Sequence, residues 1–410
     1  MLNAMLPVRS LLVAIFILMT GSGFLATLIS LRLAAAGVTP VLIGLVATCY
    51  FVGLTIGSLR APTLIAKVGH IRAFAAFVSI FSASTLAYAI YQGATVWAVL
   101  RFIDGVCMAG VFVCLESWLN ERAEPATRGS VLAFYMIALY SGQAAGQFLL
   151  NLSQTMPSLP FMAASILLSL AIMPVVLTRM QSPVLTDRSR LTIQRLYEVS
   201  PLGIAGAAIT GVMLGAFYAL GAIHVRRIGM DLSSTAIFMS VVIFGGVVLQ
   251  WQIGRLSDLF DRRRIITVAF GATALVCLCI AIFGAPGHWL LVLGGLFGGL
   301  TFALYPLCVA HTNDRLESED RVAASGALVL VYSAGAAIGP LAGAAAMTVI
   351  GPAGLYVFLA ICASGAFAYA LRRQGVGVQV PNDLQQPYQI LPRTTPMSAE
   401  LDPYGAEELH

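Results

Sequence analysis

Twelve runs of apolar residues, each 20 to 25 positions long, alternate with short polar intervals along the chain. They fall at about 11–35, 41–60, 71–92, 94–118, 129–151 and 159–178, then resume at about 200–223, 232–253, 265–285, 288–310, 322–346 and 350–371. About 20 consecutive apolar residues are what a helix needs to cross the hydrocarbon core of a bilayer. The period-two alternation of a membrane β-barrel is missing, so the pattern predicts an all-α membrane protein with twelve transmembrane helices. The interval 179–199, with Arg179, Arg188, Arg190 and Arg195, separates six spans from six. The predicted organisation is a six-helix bundle over 1–178, a cytoplasmic linker over 179–199, a second six-helix bundle over 200–371 and a polar tail over 372–410. That tail is rich in Pro and Gln and is expected to be poorly ordered.

Composition narrows the class further. Of 410 residues, 59% are hydrophobic and only 10% charged, against roughly 25% charged in a soluble chain. A water-soluble enzyme or a nucleic-acid binder is excluded, because no polar coat can be built from so few charges. The net charge of +5 is distributed as short basic clusters between spans. With the N-terminus inside, Arg9, Arg60, Lys67, Arg72, Arg122, Arg128, the linker arginines, Arg255, Arg262, Arg263, Arg264, Arg315, Arg321, Arg372 and Arg373 are cytoplasmic, whereas Arg32, Arg226 and Arg227 lie outside. This bias predicts both termini in the cytoplasm of a bacterial inner membrane. The first run continues through Ala36 with no signal-peptidase site and reads as an uncleaved span. All seven cysteines lie inside apolar runs and read as small buried hydrophobes.

The chain also repeats itself. At an offset of 193, Asn120, Glu121, Arg122, Glu124 and Arg128 align with Asn313, Asp314, Arg315, Glu317 and Arg321, and Gly142 and Gly146 align with Gly335 and Gly339. An offset containing six spans preserves orientation, so the halves are parallel repeats about an axis along the membrane normal. A shift of 192 brings Lys67 and Gly69 onto Leu259 and Asp261. The small residues at Gly142, Gly146, Gly335, Gly339 and Gly343 allow close helix packing in lipid, and Pro306 and Pro340 imply kinks.

These features resemble the major facilitator superfamily over all twelve spans. Gly254, Asp258, Arg262 and Arg263 match its signature after span 8, with Asp261 where Gly is usual. The copy after span 2 is degenerate: Pro62, Ala66 and His70 replace signature residues, while Lys67, Gly69 and Arg72 remain. Arg101 and Gly105 resemble its Arg-x-x-x-Gly motif. Gly335-x-x-x-Gly339-Pro340-x-x-Gly343 is similar to an exporter motif, displaced here from span 5 to span 11. Glu116-Ser-Trp-Leu-Asn120-Glu-Arg122, Gln250-Trp-x-x-Gly254 and Tyr305-Pro306 resemble the bacterial branch called YcaD-like. The resemblance implies two pseudo-symmetric six-helix bundles and secondary transport by alternating access.

Within that frame, Asp258 and the following arginines are candidates for a cytoplasmic latch, with Asp258 able to cap a helix and pair with guanidinium groups. Arg101 and Asp104 are three residues apart, share a helical face and can pair. Arg101, Asp104 and Glu116, together with Arg32 and Tyr218, are candidates for coupling or for lining a cavity, since ionisable groups in a span face protein or water. No phosphate loop, metal-ligand spacing or catalytic triad is present, so no enzyme, cofactor or metal is expected. The predicted function is movement of a small organic solute, with protons as a candidate coupling ion, by a monomer in contact with lipid and no nucleic acid. Proton-coupled export, metabolite uptake and facilitated diffusion remain open, as does a non-transporting receptor or scaffold.

Overall fold

The computed structural model describes residues 8–124, 127–178, 192–374 and 385–403. The first span is two helices, α1 (Arg9–Ser22) and α2 (Leu25–Ala35). There follow α3 (Pro40–Val68), α4 (His70–Ile90), α5 (Ala94–Arg122), α6 (Arg128–Gln147) and α7 (Leu159–Val176). Beyond a short helix, α8 (Ile193–Val199), come α9 (Pro201–Arg227), α10 (Leu232–Leu259), α11 (Arg262–Phe283), α12 (His288–Asn313), α13 (Ser318–Ile350) and α14 (Gly354–Gln374). Most of the predicted linker, 179–191, lies outside the described residues.

Among the described residues, eleven helical segments are long and apolar enough to cross a membrane, counting α1 and α2 as one. The exception among the predicted spans is α6. It is 20 residues long, but Arg128, Ser130, Ser141, Gln143 and Gln147 dilute its apolar character, and the chain continues as a 3-10 helix over Phe148–Gln154. The lipid-facing surface is apolar in the manner a bilayer demands: Val268, Leu275 and Ile282 on α11, seven apart, are all exposed, as are Ile166, Leu170 and Met173 on α7. This is a multi-pass membrane protein.

Packing repeats between the two parts of the chain. In the first, α1 lies on α6, α3 on α5 and α4 on α7; in the second, α9 lies on α13, α10 on α12 and α11 on α14. The glycines make these approaches possible. A Cβ on Gly142 or Gly146 would stand 2.5 Å from the carbonyl oxygen of Phe16 or Thr20 in α1. Their repeat partners are tighter still: a Cβ on Gly335 would meet the Ala208 oxygen at 2.2 Å, and one on Gly339 the Val212 oxygen at 2.0 Å. Replacing Gly339 by Ile therefore forces α9 and α13 apart. Overpacking of this kind costs about 3 kcal/mol, so G339I should unfold well below wild type in a thermal scan in detergent. Gly365→Ala, at a position with nothing within 4 Å, should leave the scan unchanged.

The two parts meet where α3 faces α13, α6 faces α10 and α2 faces α9. Helix direction defines two sides: one bears Arg32, the other the α10–α11 turn and the end of α14. Direct hydrogen bonds between the two parts cluster on the Arg32 side. Thr48 Oγ1 donates to the Ala337 oxygen at 2.7 Å, Ser240 Oγ to the Ala144 oxygen at 2.9 Å, and Ser233 Oγ to Asn151 Oδ1 at 3.0 Å. On the opposite side residues 385–403 lie between the two parts. The expectation of a poorly ordered tail fails for this stretch, and the reason is its apolar content. Leu391, Ala399 and Leu401 are buried, and Ile390 and Met397 pack on the same core.

Candidate functional site

A cavity of about 160 Å³ lies between the two parts, lined by α1 to α6, α9 and α13 and by Pro392, Arg393 and Thr394 of the tail. It borders the break between α1 and α2, where a Cβ at Gly23 would stand 2.9 Å from Cα of Gln143 and the Gly23 oxygen accepts from Gln147 Nε2 at 3.1 Å. Arg101, Tyr50, Gln143, Tyr218 and Tyr332 line the cavity. The Arg101 guanidinium sits over the Tyr50 ring, 4.1 Å from its centroid, an electrostatically favourable place for a cation. One turn along α5, Asp104 lies 3.7 Å from Arg101. Asp104 is turned toward α4, accepting from Ser84 Oγ and Tyr88 Oη at 2.6 Å each, and does not line the cavity. Of this pair, Arg101 faces the pathway and Asp104 braces it from behind.

The third ionisable residue of α5, Glu116, is fully buried. It accepts from Tyr135 Oη at 2.9 Å and from the hydroxyls of Thr394 and Thr395 in the tail. The repeat-related asparagines do matching work: Asn120 Nδ2 donates to Glu400 Oε2 at 3.1 Å, and Asn313 Nδ2 to Asp402 Oδ2 at 3.4 Å. Two positions 193 apart in sequence thus bind two carboxylates two apart in the tail.

At the α10–α11 turn, Arg262 is buried, and its nearer partner is Asp314 at 2.6 Å, with Asp258 at 3.2 Å. Burial raises the Asp314 carboxyl above its ordinary range, and the Arg262 guanidinium opposes that rise. The helix cap is not Asp258: Asp261 accepts from the Arg263 backbone N–H at 2.9 Å and lies 3.5 Å from the Arg263 side chain. Asp258 instead accepts from the Tyr388 N–H at 2.8 Å, Arg262 donates to the Gln386 oxygen at 2.7 Å, and the Gln386 N–H donates to Asp314 at 3.0 Å. Tyr388 packs directly against Gly254, where a Cβ would come within 2.2 Å of its ring. Gly254, Asp258 and Arg262, at the end of α10 and the start of α11, therefore hold the tail.

Other flagged residues stand apart from this cluster. Lys67, Arg72 and Glu121 are exposed, and Gly69 (φ +88°) forms the turn between α3 and α4. Arg32 donates to the Pro157 oxygen and lines grooves on its own side. Arg315 folds back on His311, donating to its backbone oxygen at 2.9 Å, and Arg321 donates to the Leu316 oxygen at 3.3 Å. Arg122 and Arg128 flank the connection between α5 and α6. Pro340 turns its carbonyl toward Gly44 of α3. Sequence reasoning missed Ser84, Tyr88, Arg393, Thr394 and Thr395. The one legible signal was Arg393, the one arginine within 385–403, a stretch that also carries Tyr388, Ile390, Leu391 and Leu401.

A family model described as Major Facilitator Superfamily matches residues 11–286 and 202–393. The chain belongs to the major facilitator superfamily. The uncharacterized MFS-type transporter YcaD of Salmonella enteritidis PT4 is 30% identical over 380 residues, covering 92% of this chain and 97% of the relative. Among solved structures, the nucleoside transporter NupG superposes with a TM-score of 0.74 at 13% identity, covering 91% of this chain and 100% of that one. A bacterial homolog of the human lysosomal transporter Spinster, solved in an inward-facing and occupied conformation, gives 0.71 at 12% identity over 94% and 98%. At such identities the likeness speaks for the fold. As a major facilitator chain, this protein is a transporter and not an enzyme.

Proposed function

We propose that this chain is a secondary active transporter that moves a small organic solute across the bacterial cytoplasmic membrane by alternating access. The reading takes α6 as a twelfth crossing and the two parts of the chain as six-helix bundles, with both termini in the cytoplasm. What carries it is the asymmetry of the interface: direct contacts between the parts cluster on the Arg32 side, whereas on the other side residues 385–403 lie between the parts, and Pro392, Arg393 and Thr394 line the cavity. With the arginine-rich side inside, the conformation faces the cytoplasm. Rocking the bundles about the central cavity would exchange which side is closed.

Protons are the coupling ion this reading favours, and Asp104 the leading coupling acid. It is buried against a cavity-lining guanidinium, so solute or bundle movement that displaces Arg101 alters the carboxylate's proton affinity. Only such a difference between two states can transmit free energy. Purified protein in liposomes, screened against small organic solutes under separate pH and voltage gradients, tests both claims. Asp104→Asn is expected to abolish proton-driven accumulation while leaving solute exchange within a few-fold of wild type. Glu116→Gln, whose carboxylate binds the tail, is expected to retain accumulation. Full accumulation in D104N would remove Asp104 as the coupling acid; no flux of any solute would remove transport itself.

A further inference from the structure

The tail carries a cation to the middle of the pathway, and what receives it is aromatic. The Arg393 guanidinium carbon lies 4.4 Å from the Phe302 ring centroid, 5.7 Å from that of Tyr332 and 6.0 Å from that of Tyr140. Tyr218 completes the enclosure, its ring 6.4 Å from Phe302. Pro392, Arg393 and Thr394 form one wall of the central cavity. Among the described residues no carboxylate pairs with Arg393. Its charge is met by π faces and phenolic oxygens, the recognition used for desolvated organic cations.

We propose that this cage is a binding site for the headgroup of an organic cation, of guanidinium or similar delocalised type, and that Arg393 is its tethered occupant. The inference rests on the transport reading only in calling that cation the solute. Four elements build the cage, α6, α9, α12 and α13, so it spans both parts of the chain. The adjacent tail residue, Thr394, sits on Glu116. When the tail leaves, Glu116 loses both threonine partners and keeps Tyr135. The π faces and phenolic oxygens of the cage select a cation over an anion. Arg101, the other cation in this cavity, is already compensated by Asp104 and the Tyr50 face.

The tail also bridges the parts, touching Glu116 and Asn120 in one and Asp258, Arg262, Asn313 and Asp314 in the other. Closing the tail side requires its departure. A free cation and the tail therefore compete, and the apparent affinity for the cation falls by the fraction of molecules whose cage is vacant.

Isothermal titration of the full-length purified protein decides the matter, using benzylguanidinium, its neutral isostere benzylurea and the anion phenylacetate. Arg393→Gln, which vacates the cage but keeps the tail, should bind benzylguanidinium at least tenfold more tightly than wild type, with no comparable gain for the other two probes. Adding Phe302→Leu to that variant should erase the gain. As a check independent of the R393Q fold, Thr394→Val/Thr395→Val, which loosens the tail and leaves Arg393, should show the same cation-selective gain in smaller measure. Equal affinities for benzylguanidinium in wild type and both tail variants, or an equal gain for the anion, would overturn the proposal. Binding is read here without flux. A silent transport assay with selective cation binding leaves the cage standing, and flux of a neutral or anionic solute without it leaves transport standing and removes the cation class.

Discussion

Arg262→Met will be among the most destabilising single substitutions in the chain. The guanidinium is buried at 1% exposure against Asp314 at 2%, and it also holds Asp258 and the Gln386 carbonyl. Removing it takes away the guanidinium in contact with the buried Asp314 carboxylate, and breaking such a pair costs about 3–5 kcal/mol. Neutralising both partners, in Arg262→Met/Asp314→Leu, removes the stranded charge and should recover most of that loss, because an apolar pair of similar volume is often no worse than the ion pair. Thermal unfolding of the three proteins in one detergent checks this. A double variant as unstable as R262M would mean that the tail contacts of Arg262, not its pairing with Asp314, account for the effect.

The second large effect concerns the tail. Thr394→Val/Thr395→Val deletes the two tail hydroxyls that donate to Glu116, and hydrogen bonds to a charged group contribute about 1.5–3 kcal/mol each. Docking of the tail should weaken by about two to four orders of magnitude, since 1.4 kcal/mol is tenfold. The readout is the rate at which a polar thiol reagent reaches a cysteine at Ala219, a cavity-lining residue of α9, with the native cysteines replaced. We expect that rate to rise tenfold or more over the same cysteine with an intact tail. An unchanged rate would show that the tail does not obstruct the cavity.

How much of this was legible beforehand differs by kind of feature. Eleven of the twelve predicted spans were, because apolar runs of bilayer length are a one-dimensional signal. The repeat was, because Asn120 and Asn313 sit in matching contexts, although their common use, binding Glu400 and Asp402, was not visible from spacing. The pairing of Arg101 with Asp104 followed from helical geometry. Which of the two faces the cavity did not, since that depends on Ser84 and Tyr88 of α4, 20 and 16 residues away from Asp104. The signature around the α10–α11 turn is legible as a cluster of charge, yet its partners are not: Gln386 and Tyr388 lie more than a hundred residues on. The tail is where local reasoning misled. Its prolines and glutamines suggest disorder, whereas the apolar side chains among them decide its placement once a groove exists to receive them. A tertiary groove has no signature in one sequence.

Alternation itself is tested most directly by distance measurements on both sides of the same molecule. On a background without native cysteines, one pair of spin labels at Ala36 and Asp231 reports the Arg32 side. A second pair at Lys67 and Phe260 reports the tail side; all four positions are exposed. Pulsed electron–electron distances would be collected in lipid at pH 5.5 and 8, with and without Arg393→Gln. Alternating access predicts two populations for each pair and reciprocal change: conditions that lengthen the Arg32-side distance shorten the tail-side distance. A single unchanging distance on both sides under every condition would contradict it.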